Sequence, residues 1–232
     1  MSQHIAIIGG TSGIGRAVIA QLQADGHHVH AACRSPEKLA DLGLEAQRFD
    51  ALAPTPLAWP ERLDGLVYCP GTIVLKPFHR MTPEDFQREL QVNLFGAIAA
   101  LQSALPALKA SGHASVVLFS TVAVAQGMPM HAGIAAAKGA VEGLARSLAA
   151  EWAPAIRVNV IAPSLTDTAL AAPLLNSDLK KEAAAKRHPL QQVGRSEDLA
   201  TLVCHLLSGH ARFMTGQVLH VDGGLSAVRT FA

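Results

Sequence analysis

Ile5-Ala-Ile-Ile-Gly-Gly-Thr-Ser-Gly-Ile-Gly-Arg-Ala-Val18 decides how the rest of the chain is read. The apolar run Ile5 to Ile8 predicts a buried parallel strand, and Arg16-Ala-Val-Ile-Ala-Gln-Leu22 predicts a helix with one apolar face. Between them lie Gly9, Thr11, Ser12, Gly13, Ile14 and Gly15. The glycines stand where a side chain would block the turn, the approach of a phosphate, or the packing of helix on strand. Free N–H groups at the start of that helix favour a pyrophosphate. A strand before and a helix after give the motif the context it requires. A dinucleotide site is expected here.

Composition narrows the class. Of 232 residues, half are apolar and only 16% charged, and mean hydropathy is +0.26. That balance suggests a sheet buried on both faces, with further apolar helix surface covered by a partner chain. A formal net charge of +1 points to neither nucleic acid nor an anionic membrane as partner. Cys33, Cys69 and Cys204 are scattered and lack metal-ligand spacing, so no metal is expected and the thiols read as reduced. The first strand begins too near Met1 for a signal peptide, and no apolar run reads as a bilayer span. These features together predict a cytoplasmic protein.

Along the chain, His28-Val-His-Ala-Ala32 reads as the second strand, ending at Cys33-Arg34-Ser35. In NAD-specific folds a carboxylate about twenty residues past the glycines holds the ribose 2′-hydroxyl. Here a thiol is followed by Arg34, Ser35 and then Lys38, and a guanidinium suits a 2′-phosphate. NADP(H) is therefore favoured over NAD(H). Ala46-Gln-Arg-Phe-Asp50 is a third strand; Asp50 either accepts from the adenine amino group or caps the turn before Pro54. Gly65-Leu-Val-Tyr68 is a fourth, broken at Pro70-Gly71, and ligands sit at such carboxyl ends. Thr82 to Lys109 reads as one long helix with polar Asn93 inside it. Ala114 to Phe119, Arg157 to Ala162 and Gln217 to Val221 complete the strands; 128–151 opens with a loop and becomes a small-residue helix, and 196–208 is another helix.

The chain resembles the short-chain dehydrogenase/reductase family over essentially its whole length. The resemblance rests on Gly9…Gly13-Ile-Gly15, Asp50, Asn93, Ser120, Lys138, Arg157-Val-Asn159, Ala162-Pro163…Thr168 and Thr215-Gly-Gln…Asp222-Gly-Gly224. It implies an α/β fold: a single doubly wound Rossmann-type domain over residues 1–232, with a seven-stranded parallel sheet. Residues 164–192 would form the substrate loop, with Leu170, Leu174 and Leu175 as an apolar flap. Thr168 would contact the cofactor phosphate, and Gly71 is retained at its strand end. The family is usually dimeric or tetrameric through its long fourth and fifth helices. Ala97, Ala99, Ala100, Gly139, Ala140 and Gly143 are small enough for such packing, so a homodimer or homotetramer is expected.

In the family a tyrosine four residues before the lysine exchanges the proton and a serine polarises the carbonyl. The lysine holds the nicotinamide ribose and lowers the tyrosine pKa, and an asparagine maintains a water relay. The resemblance carries Asn93, Ser120 and Lys138 over, but Ile134 stands at the tyrosine position. Tyr68, the chain's one tyrosine, sits in Tyr68-Cys-Pro-Gly71, where the family usually has Asn-Asn-Ala-Gly. Ser164 also replaces a usual glycine. An aliphatic side chain donates no proton, which forfeits general acid–base help on the order of 10²–10⁴-fold.

Three groups are candidates for the missing acid. His131, Ile134 and Lys138 share a stripe if the helix has begun at His131, and an imidazole suits proton transfer near neutrality. Equally, His131 at a loop junction is a structural or solvated histidine. Lys138 would serve through desolvation, and Tyr68 only if its strand end faces the site. The expected activity is NADP(H)-dependent reduction of a small carbonyl or polarised double bond with an atypical proton donor. A nucleotide-binding pseudoenzyme with a sensing or partner-assisting role, and a cofactor-bound lyase or isomerase, are the competing readings.

Overall fold

The computed structural model describes residues 2–230. Seven parallel strands form one sheet: β1 (His4–Ile8), β2 (His28–Cys33), β3 (Ala46–Arg48), β4 (Gly65–Tyr68), β5 (Ala114–Phe119), β6 (Ile156–Pro163) and β7 (Val218–Val221). Their spatial order is 3-2-1-4-5-6-7, so the order reverses between β1 and β4. Ligands of doubly wound sheets bind at that reversal, outside the carboxyl ends of the strands. The register puts Ile8 beside Ala32 and Tyr68, so the ends of β2, β1 and β4 lie level and open into one crevice.

Burial on both faces explains the near-continuous apolar strands. On one face α1 (Gly13–Ala24) and α6 (Ser196–Leu207) bury Val18, Ile19, Leu22, Val203 and Leu206 against Ile5 and Ile7. On the other, α3 (Gly96–Ser111) and α4 (Ala132–Trp152) bury Leu101, Leu108, Val141 and Ala145 against Ala6, Ile8 and Leu66. The segment 164–194 lies beyond the sheet. It contains α5 (Asp178–Ala185), and Thr166–Asp167 pairs with Gly194–Arg195 in a two-residue ladder.

The long helix expected from Thr82 is interrupted. Thr82 and Asp85 form a reciprocal capping box that starts α2 (Pro83–Leu90), but Gln91–Phe95 is a π-helical turn before α3. Within it Gly96 N–H bonds to Gln91 O, one residue further back than in an α-helix. Val92 O takes the Tyr68 hydroxyl instead, at 2.6 Å. Gly96 is required here, because a Cβ would lie 2.3 Å from the Tyr68 oxygen. The extra residue rotates Asn93 into the crevice.

Two expectations need correction. By length and apolar content Pro83–Ser111 does match a membrane span, but its 29 residues are the helix pair packed on the sheet, with Glu89 and Asn93 buried in it. Ala97 and Ala100 face the sheet and are fully buried, so they are unavailable to a second chain; Ala99, Gly139, Ala140 and Gly143 keep partial exposure.

Candidate functional site

A cleft of about 420 Å³ runs along the carboxyl ends of the strands. One end is the glycine turn. A Cβ on Gly9 (φ +85°) would meet Pro70 at 2.8 Å, and one on Gly15 would meet Gly9 O at 2.7 Å. Gly13 adopts φ +52° beside Thr168. Ser12 precedes α1 without using its side chain as a cap, and no acidic residue lies in the first turn. The helix N-terminus is thus left for an external anion. Thr11, Ser12, Ile14, Arg34, Ser35, Lys38 and Thr168 line the same stretch. Arg34 is exposed and forms no hydrogen bond or ion pair within the described residues. Asp50 also lines the cleft, and one of its oxygens accepts from Leu52 N–H (2.9 Å), so the turn-capping role is realised while the second oxygen remains.

The floor of the cleft is a buried polar network. Glu89 is fully buried and accepts from Val74 N–H (2.6 Å), Thr72 Oγ1 (3.0 Å) and Asn93 Nδ2 (2.9 Å). Asn93 Nδ2 also reaches Glu89 O (2.9 Å) and Thr72 Oγ1 (3.1 Å), yet its Oδ1 has no partner. An unsatisfied buried carbonyl in a native core marks a place for a ligand or water. Lys138, only 7% exposed, lies next to it: a Cβ on Gly71 would be 3.4 Å from Asn93 Oδ1 and 3.9 Å from Lys138 Nζ. Burial holds Lys138 down at about 8, against the upward pull of the Glu89 carboxylate and Cys69. Among the described residues its Nζ donates no hydrogen bond. Burial also pushes the Cys69 thiol up to about 12, so it faces the cleft as a neutral thiol.

Around Lys138 the candidate residues separate. Ile134 lines the cleft and is 3% exposed. Ser120 lines it too, but its hydroxyl is donated to Glu142 Oε1 at 2.6 Å, inside the core. Thr121 also lines the cleft; its Oγ1 accepts from Ala123 N–H (3.3 Å), and its hydroxyl proton goes to no acceptor among the described residues. His131 is not among the lining residues. It is the N-cap of α4, with φ −101° and ψ 10°, and its Nδ1–H donates to Pro129 O at 2.7 Å. The helix has therefore not begun at His131, and the stripe linking it to Ile134 and Lys138 does not form. Tyr68 is equally removed, its hydroxyl consumed by Val92 O and its pKa driven up by burial.

Sequence reasoning missed Glu89, Thr72, Thr121 and Glu142. Glu89 lies one helical turn before Asn93, but among Asp85, Gln87, Arg88 and Gln91 it reads as one more solvated side chain of a polar helix. Glu142 sits one turn past Lys138. Which of Ser120 and Thr121 turns toward the cleft depends on the path of the chain after β5, which no local pattern encodes.

The geometry therefore defines one cleft with a glycine turn and helix N-terminus at one end and a buried lysine and asparagine at its floor. A family model described as Enoyl-(Acyl carrier protein) reductase matches residues 9–226. A tropinone reductase homologue of Arabidopsis thaliana is 36% identical over 95% of this chain and 91% of its own length. The structure of a short-chain type dehydrogenase/reductase from Mycobacterium ulcerans superposes with a TM-score of 0.90 at 31% identity, covering 99% of this chain and 92% of that one. That of a gluconate 5-dehydrogenase from Burkholderia cenocepacia, in complex with NADP and tartrate, has a TM-score of 0.87 at 26% identity, covering 99% and 97%. The chain belongs to the short-chain dehydrogenase/reductase family. Members are oxidoreductases that use a pyridine nucleotide on small molecules, and the glycine cradle, Lys138 and the orphaned Asn93 oxygen fit such a cofactor.

Proposed function

We propose that the chain is an NADP(H)-dependent oxidoreductase acting on a small carbonyl or polarised double bond, with its proton supplied by a group other than a residue-134 phenol. The observation that carries this reading is Lys138, a buried amine with no hydrogen-bond acceptor among the described residues, set in the cleft that begins at the glycine turn. Lys138 would hold the nicotinamide ribose, Asn93 Oδ1 a bridging water, and Thr121, rather than Ser120, would donate to the substrate oxygen. Gly9, Gly13, Gly15 and Thr168 would receive the pyrophosphate and Asp50 the adenine side, with Gly71 leaving room between Asn93 and Lys138. Arg34 and Ser35 would take the 2′-phosphate, a preference in keeping with the NADP-bound gluconate dehydrogenase. The bound nucleotide would supply hydride chemistry; the protein supplies position and proton. Residues 164–192 would close over the substrate of one 1–232 domain, with Leu170 already in the cleft lining, and two or four copies would associate.

Stopped-flow NADPH oxidation against carbonyl, enone and imine substrates tests the proposal, with NADPH affinity measured in parallel. Turnover lost in Lys138→Ala supports it; NADPH binding with no hydride transfer to any substrate sinks it. One observation favours a second reading, a nucleotide-binding pseudoenzyme: the side chain one helical turn from Lys138 is the buried aliphatic Ile134. On that reading Ile134→Tyr creates turnover where the wild type has none.

A further inference from the structure

Ser164 and His188 form a second polar pair on the cleft, and neither belongs to the network around Lys138. Ser164 follows the carboxyl end of β6, and its residue lines the cleft together with Ile134 and Lys138. His188 lies just after α5, 3% exposed, and Gly223 (φ +59°) brings its backbone against the ring. The imidazole bridges two partners, with Nδ1 at 2.9 Å from Ala184 O and Nε2 at 2.9 Å from Ser164 Oγ.

The partners fix the protons. A carbonyl oxygen only accepts, so Nδ1 carries the hydrogen, and Nε2 of the neutral ring is an acceptor. Ser164 must then donate its hydroxyl proton inward to Nε2. What it keeps for the cleft is oxygen lone pairs. The turn does not depend on this bond, because Thr166 Oγ1 donates to Ser164 O (3.2 Å) and Ser164 N–H to Val221 O (3.3 Å). A serine whose proton rests on an oriented histidine is a poised proton acceptor.

We propose that Ser164 and His188 are the proton relay of the reaction, with Ser164 the catalytic residue and His188 positioning and charging it. The proposal rests on the oxidoreductase reading above and supplies the donor it leaves unnamed. In the oxidative direction a substrate alcohol donates its O–H to Ser164 Oγ. A bound nicotinamide would take the carbinol hydrogen as hydride, with both electrons, while the alcohol proton passes to Ser164 Oγ and the serine proton to His188 Nε2. One proton then remains on the imidazolium, whose two N–H groups face Ala184 O and Ser164 Oγ. His188 is closed to solvent, so its proton returns through Ser164 to cleft water once the product leaves. Reduction runs the same steps backwards, with the imidazolium as the acid.

The test compares wild type, Ser164→Ala, Ser164→Thr, His188→Gln and the double variant Ser164→Ala/His188→Gln. Readouts are NADPH affinity, thermal midpoint, kcat and its solvent isotope effect. A relay predicts a fall in kcat on the order of 10²-fold or more in Ser164→Ala at unchanged NADPH affinity and midpoint. Ser164→Thr retains turnover, and the double variant is no slower than the worse single one, because the two residues act as a unit. Undiminished kcat in Ser164→Ala overturns the relay and leaves the oxidoreductase reading standing. A loss tracking the thermal midpoint or NADPH affinity also overturns it, as the mark of a structural bond. Should His188→Gln fail to fold, the Ala and Thr variants of Ser164 decide alone. Independent of turnover, nitrogen-15 NMR of the unliganded protein should show His188 protonated at Nδ1, with an Nε2 shift that moves in Ser164→Ala. An Nε2–H tautomer rejects the relay. A wild type that binds NADPH yet transfers no hydride overturns relay and oxidoreductase together.

Discussion

Ser120 Oγ donates to Glu142 Oε1 at 2.6 Å, and both residues are largely buried, with Glu142 Oε2 3.8 Å from Arg146. A carbonyl substrate needs a donor, and this hydroxyl has already given its proton away. Thr121, the next residue, has not. Ser120→Ala is therefore expected to act on stability, costing about 1–3 kcal/mol by leaving a buried carboxylate short of a donor. Its kcat/KM should stay near wild type. Thr121→Val keeps the shape and removes the donor, and should lower kcat/KM on the order of 10²-fold, as for other donors to a developing oxyanion. Urea denaturation and steady-state kinetics on the two variants separate these roles.

Tyr68 supports the π-helical turn from below, its hydroxyl on Val92 O. Tyr68→Phe leaves that carbonyl buried and unpaired. The expected loss is about 1–3 kcal/mol of stability, read as a lower urea midpoint with unchanged slope. Because the phenol lies outside the chemistry, the pH profile of kcat should keep its wild-type shape. A profile that loses an ionisation would return Tyr68 to the list of proton donors.

The parts of this protein that were legible in its sequence are those set by neighbours along the chain. Ile5 to Ile8, the glycines and Arg16 to Leu22 specify strand, turn and helix locally, and the β2, β4, β5 and β6 strands are apolar runs between turn residues. The features that were not legible join distant positions. Ser120 meets Glu142, Ser164 meets His188, and Tyr68 meets Val92 only because helices and loops pack onto the sheet ends. The π-helical turn is a further case, since nothing in Gln91-Val-Asn-Leu-Phe95 departs from helical preference. It goes with the Tyr68 hydroxyl bound to Val92 O, where Tyr68 and Ala51 leave no room for a Cβ at Gly96. His131 shows the opposite error, in which regular spacing suggested a stripe that the cap geometry breaks.

Arg34 stands exposed at the cleft edge with no partner among the described residues, beside Ser35. Removing it in Arg34→Leu should weaken NADPH by about 10- to 100-fold, the worth of a hydrogen-bonded charge pair at roughly 1.5–3 kcal/mol. NADH lacks the 2′-phosphate, so its affinity should change little. Fluorescence titration with both nucleotides, at two salt concentrations, checks this. Equal losses for both would place Arg34 on the shared part of the cofactor.

Lys138 ties the site to the pH dependence of folding. Burial depresses its folded-state pKa from 10.5 to about 8, with Glu89 and Cys69 opposing the shift. Below pH 8 the amine is protonated in folded and unfolded chains alike, and the fold bears the whole cost of burying the ammonium. Between pH 8 and 10.5 the unfolded chain holds the proton that the folded chain has released, so stability from this group rises with pH. Above 10.5 both are neutral and the cost is gone. The shift corresponds to roughly 3 kcal/mol. Lys138→Met lacks this pH-dependent term, which already contains the attraction between the charged amine and Glu89. The stability difference between wild type and Lys138→Met should therefore move in favour of the wild type, by up to about 3 kcal/mol, as pH rises through that window. Urea titrations of the unliganded proteins at pH 7 and at pH 10.5 measure it. A difference independent of pH would mean that Lys138 reaches solvent in the unliganded protein and arrives at the cleft floor only with the nucleotide.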